Sequence, residues 1–191
     1  MRGRVSYMIA GVVGAVAAVL ALLDAGGNAF RDDDPRTALI FDSGNEMVHQ
    51  AMADSVLERG VDPANLADAR PHTLLALAGA PGLGHMLRSY ALLAETGLVK
   101  GDPVRVMTAA SQFSKRDLAT QLWLIDNLAR SGDIDATIRK YDDALRTNRS
   151  ISGLLYPMLA RAVADDELRP AIVKLMRSKP DWDDDFYFHM A

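Results

Sequence analysis

Residues 114–147, SKRDLATQLWLIDNLARSGDIDATIRKYDDALRT, decide the fold. Leu118, Leu122, Ile125, Leu128 and Ala129 recur at helical spacing and make a broad apolar stripe. Ser114-Lys115-Arg116-Asp117 reads as a capping box, with an acidic residue three after the serine, opening a helix over Arg116–Ser131. Gly132 stops that helix, and Asp133 reads as the N-cap of the next, over Ile134–Thr147. Ile138, Tyr141, Ala144 and Leu145 turn inward on this second helix. Two amphipathic helices joined by a Gly-Asp turn predict an antiparallel helix pair.

The same punctuation recurs outward from this pair. Gly101-Asp102 lies 31 residues before Gly132-Asp133, and Asp165-Asp166 occupies the corresponding turn 33 residues after it. Upstream, Val48, Ala51, Met52 and Val56 share a face over Asn45–Arg59, which Gly60 closes. Asp62-Pro63 and Asp102-Pro103 each read as an N-cap followed by proline at the first helical position. Pro71 is expected to open a short helix ended by residues 79–82, followed by a longer helix over His85–Val99. Two more helices fall over Gly153–Ala164 and Glu167–Ser178, and Asp181-Trp182 starts a last one through Phe186, Tyr187 and Phe188. These aromatics either cap the array or pack on another chain. Apolar residues are 49 % of the chain and aromatics only 6 %, a balance that favours helix over strand. Helix pairs recurring at this period are the pattern of an all-α solenoid, each pair burying its apolar face on its neighbours.

The segment 118–151 resembles one tetratricopeptide repeat. Leu124 falls at the first-helix leucine, Gly132-Asp133 at the inter-helix turn, and Tyr141 and Ala144-Leu145 at second-helix packing positions. Ile125, Leu128, Thr137 and Arg149 depart from the motif. The resemblance implies a concave, partner-binding surface. Trp123 sits one step off the apolar stripe, with Lys115, Arg116 and Arg130 flanking its helix. An aromatic among cations suits a peptide anchor, and Tyr141 is grouped with it as a candidate partner contact. The competing reading has Trp123 filling the space between repeats.

Ahead of the helical repeat domain, 45–191, the chain reads as an anchor and a spacer. Val5–Leu23 is a run of 19 uncharged residues preceded by Arg2 and Arg4. As a helix it would span about 28 Å, close to the ~30 Å hydrocarbon core of a bilayer. Residues 1–24 are therefore expected to form a signal-anchor transmembrane helix of a bacterial inner membrane. The arginines would stay in the cytoplasm and the remainder would face the periplasm. The alternative is a cleaved signal peptide, with Gly27-Asn28-Ala29 as the small-residue site. Residues 25–44, with Ala25-Gly26-Gly27-Asn28 and Asp32-Asp33-Asp34-Pro35, read as a flexible acidic linker. The aspartate run lacks the glycine turn and closing glutamate of a calcium loop.

Chemistry is hard to find in the remainder. The chain contains Cys 0, which excludes a disulfide framework and cysteine-ligated metal. His49, His72, His85 and His189 are dispersed, without an HExxH or related metal spacing, and read as surface or packing residues. Asp142-Asp143 and Asp183-Asp184-Asp185 are neighbours that diverge by about 100° on a helix, and read as solvated faces. No G-x-S-x-G elbow or Gly-rich phosphate loop occurs, so no catalytic residue, metal ligand or cofactor is assigned. A net charge of −4 argues against nucleic acid as a partner. The expected function is a membrane-tethered scaffold binding other proteins in envelope assembly or polymer export. The alternatives are an envelope-polymer enzyme without a recognisable motif, or a short version of a larger protein.

Overall fold

The computed structural model describes the backbone over residues 2–190 and side chains over residues 16–190. Among the described residues there are eleven α-helices, one 3-10 turn and no strand, as the all-α reading expects. The chain divides into two compact units, Met1–Lys100 and Gly101–Ala191. The division falls inside the stretch 45–191 that reads as a single repeat domain.

The first unit holds α1 (Arg2–Phe30), α2 (Pro35–Phe41), α3 (Glu46–Leu57), α4 (Pro63–Gly79) and α5 (Gly84–Glu95). The transmembrane reading over Val5–Leu23 falls largely on side chains outside the described residues. Among the described residues, no helix is long and apolar enough to cross a membrane.

The stretch 25–44, read as a flexible linker, is mostly helical. Its glycines are contact positions. A Cβ on Gly26 would lie 2.6 Å from Phe41 Cδ1, and one on Gly27 would lie 2.9 Å from Asp42 Cβ. Their bare backbone lets α2 fold back against the end of α1, where Phe30 and Phe41 stack with centroids 5.7 Å apart. The aspartate run ends in a cap: Asp34 accepts from the Thr37 amide and Pro35 takes the first turn.

Asp62 caps α4 in the same way, accepting from the Ala64 and Asn65 amides at 2.9 Å. Pro71 does not begin a helix but lies inside α4. Proline cannot donate to the carbonyl four residues back, here Ala67. Both residues are exposed, so solvent can take that carbonyl, while Leu66, Ala69, Thr73 and Ala76 hold the other face by burial. Helix α3 packs chiefly on α4, and Ala53, Ala76 and Met86 form a small core with Leu77 and Leu83 against it. Gly79 lets Glu46 close in, since a Cβ there would sit 2.7 Å from Glu46 Cβ. Helix α5 ends at Glu95, short of Val99, because Gly97 adopts φ 75° and turns the chain.

The second unit holds α6 (Pro103–Phe113), α7 (Leu118–Arg130), α8 (Ile134–Thr147), a 3-10 turn (Arg149–Ile151), α9 (Ser152–Ala164), α10 (Arg169–Arg177) and α11 (Asp183–Met190). Asp102 caps α6 through the Val104 and Arg105 amides, and Asp133 caps α8 through the Ala136 amide at 2.9 Å. Gly132 has φ 77°, the left-handed turn that glycine adopts without penalty. Ser114 does not open α7. Its amide donates to Ala110 O at 3.0 Å and closes α6, and Asp117 is the residue that precedes α7. The chain spends residues 114–117 reversing direction, so the capping position moves three residues on. Helix α8 packs on α7 and α10, and α9 on α10 and α11. One core runs through Ile125, Ile138, Leu145, Leu155, Leu159, Ile172, Trp182 and Phe186.

Candidate functional site

In the first unit, helices α3 and α4 bring together two histidines that are 23 residues apart in sequence. His49 Nδ1 and His72 Nδ1 are 2.9 Å apart, and His49 is only 6 % exposed. His49 Nε2 lies 3.0 Å from the Ser43 carbonyl. A carbonyl only accepts, so His49 Nε2 carries a hydrogen, its Nδ1 accepts, and His72 Nδ1 donates. Burial, and then the neighbouring His49, hold the His72 pKa below its ordinary value. His49 is thus a packing residue, one of the two readings the sequence allows, but His49 and His72 are paired rather than dispersed. Nothing local in the sequence signals their pairing, because it depends on the register between α3 and α4. His85 Nε2 lies 3.7 Å from Asp54, whose carboxyl is pushed up by burial. Among the described residues, no group of three or more His, Asp or Glu is placed to hold a metal ion.

In the second unit, the candidate partner residues separate. Trp123 is half-buried on α7, whereas Lys115, Arg116 and Arg130 are exposed. Arg130 pairs with Asp126 at 2.8 Å. Tyr141 is not on the surface but in the core, with its hydroxyl 3.8 Å from Met158 Sδ and its pKa raised by burial. Its ring sits on the inward stripe of α8, so it supports the helix pair and is removed from the set of surface contacts. It borders an apolar cavity of about 220 Å³ that Ile138, Leu159 and Ala162 also line.

The carboxylates of α8 are not all solvated. Asp142 accepts from Arg146 Nε at 2.8 Å and from Trp182 Nε1 at 2.9 Å, tying the C-terminal segment to α8. Trp182 is 2 % exposed and packs with Tyr156 and Phe186, both within ring-contact distance. The aromatic tail is divided: Phe186 is buried in the core, while Tyr187 and Phe188 face outward, Phe188 being 87 % exposed. Beside them lies an apolar groove of about 320 Å³ lined by Val173, Met176, Tyr187 and Met190.

A third pocket, of about 390 Å³, is formed by α6, the turn after it, α7 and α8, and Lys115, Gln121 and Lys140 are among the residues that line it. Comparison of the chain with family models, with characterised proteins and with solved structures finds no match. The class that the geometry itself defines is an all-helical protein whose second unit packs its helices around one core.

Proposed function

We propose that the protein is a membrane-tethered, periplasm-facing helical-repeat scaffold that binds other proteins in envelope assembly or polymer export. The observation that carries the binding role is the outward-facing end of the second unit. Tyr187, Phe188 and Met190 are exposed beside an apolar groove, and exposed aromatics next to a groove are characteristic of protein-contact surfaces. The tetratricopeptide-like reading is supported by the α7–α8 pair with its left-handed Gly132 and the capping Asp133. Tethering is supported by Val16, Val19, Leu20 and Leu22, which are exposed on α1, and by Arg2 and Arg4 ahead of the apolar run.

A reporter that is active only outside the cytoplasm, fused after Ala191, tests the topology when combined with membrane fractionation. A photo-crosslinking side chain at position 188 tests the contact. The scaffold reading expects an active, membrane-bound reporter and a discrete heterologous adduct from position 188. A silent reporter overturns the orientation, a soluble shortened protein overturns the anchor, and the absence of any adduct overturns the contact surface.

A further inference from the structure

One face of α8 is turned to a space it does not fill. Ile134, Thr137, Ile138 and Tyr141 recur at helical spacing along it, and with Met158, Leu159 and Ala162 of α9 they border the apolar cavity of about 220 Å³. Ala129 at the end of α7 and Leu168 ahead of α10 complete the lining. The small side chains at 129, 137 and 162 leave the room, and Met158, 46 % exposed, stands at the mouth. A cavity of about 150 Å³ in an apolar core already takes benzene, and drug-sized ligands need about 300 Å³ or more. The space therefore suits a compact body of roughly six to ten heavy atoms.

None of the lining side chains is charged, so an ionised ligand would be buried without a counter-ion. Thr137 and Tyr141 supply the side-chain oxygens of the lining. The Thr137 hydroxyl donates to the Asp133 carbonyl at 2.7 Å, which commits its hydrogen to the helix. The Tyr141 hydroxyl is different. Its partner is the Met158 thioether at 3.8 Å, a weak acceptor on an unbranched side chain that can turn away. Burial raises the Tyr141 pKa, so the phenol keeps its proton and remains a donor through the physiological range. A weakly engaged donor on the wall of an apolar space favours an oxygen acceptor carried on an apolar body, since a carbonyl accepts better than a thioether.

We propose that this cavity is a binding site for a small neutral carbonyl compound, an alicyclic or aromatic ketone or ester. The apolar body fills the space among Ile138, Leu159 and Leu168, Met158 swings outward to admit it, and Tyr141 Oη donates to the carbonyl oxygen. The site is separate from the groove beside Tyr187 and Phe188, so either can fail without the other.

Nuclear magnetic resonance of the full chain, with its methionine methyl groups labelled, tests the assignment with two probes. These are cyclohexanone and methylenecyclohexane, a hydrocarbon of the same shape. Cyclohexanone should bind and shift the Met158 methyl signal, which Met158→Leu identifies by removing it. Tyr141→Phe keeps the ring and removes only the donor. It should weaken cyclohexanone binding by about threefold to tenfold, the scale of one net hydrogen bond, and leave methylenecyclohexane unchanged. Ala162→Phe, which puts a ring into the space, should abolish binding of both probes, with circular dichroism monitoring the fold; where that variant fails to fold, Tyr141→Phe decides alone. Each comparison is between variants in the same medium, so partitioning of the probes into it cancels. Absence of cyclohexanone binding, binding that leaves the Met158 methyl unmoved, or equal weakening of both probes by Tyr141→Phe overturns the proposal. So does cyclohexanone binding that Tyr141→Phe or a folded Ala162→Phe leaves unchanged.

Discussion

Acidification should loosen the α3–α4 pair through His72. Its ring is held neutral by burial and by His49, so its native pKa lies below the unfolded value of about 6.5. Above that value both states are neutral, and the stabilisation from keeping the ring unprotonated is fully present. As pH falls below it, the unfolded chain takes a proton that the native ring resists, and stability is lost until the native ring protonates as well. One such proton gives a slope of at most about 1.4 kcal/mol per pH unit. Asp54 acts with the opposite sign. Its raised pKa favours the folded state at acid pH, and that contribution fades as pH rises from about 3.9 through the native value. Hydrogen exchange of peptides from residues 46–79, corrected for intrinsic chemistry, should therefore show protection falling from pH 7.5 to 5.5. The comparison is made in an Asp54→Asn background, and His72→Gln, which retains a donor but does not titrate, should flatten the slope. Equal slopes with and without His72, or protection that rises on acidification, would refute the reasoning.

Three further predictions concern packing and turns. Gly132→Val should destabilise by about 1 kcal/mol or more, entirely through its φ of 77°, because no atom lies within 4 Å of the added Cβ; urea unfolding measures it, and an unchanged midpoint would contradict the left-handed turn. Trp182→Ala should cost about 3–5 kcal/mol by opening the core, whereas Trp182→Phe should cost roughly 1 kcal/mol for the lost hydrogen bond to Asp142; thermal unfolding of the pair separates the two contributions. Gly26→Leu should separate α2 from α1, because Phe41 already occupies the space of the new Cβ; a disulfide or spin-label distance between the two helices would report it, and an unaltered distance would count against the contact.

Helix, turn and cap were legible in the sequence because each depends on a few adjacent residues. Asp62-Pro63, Asp102-Pro103 and Gly132-Asp133 stand where their local chemistry places them, and the inward stripe of α8 faces the core it predicts; on α7 only Ile125 of the predicted stripe is buried, with Thr120, Gln121 and Leu124 turned inward, Leu118, Leu122 and Leu128 half-buried and Ala129 exposed. Errors arose where one residue type serves two purposes. Glycine at 26 and 27 reads as flexibility but serves close approach, proline at 71 reads as a start but lies within a helix, and Ser114 reads as an opening cap but closes the helix before it. Tyr141, which resembles a contact residue beside Trp123, is inside because its position on α8 faces the core. The candidate chemistry was decided by tertiary structure alone. His49 meets His72, and Asp142 meets Trp182 40 residues away, only through the register of packed helices. Gln121 Oε1 is likewise buried without a hydrogen-bond partner only in the folded chain, since burial and the lack of a partner are properties of the surroundings and not of the residue.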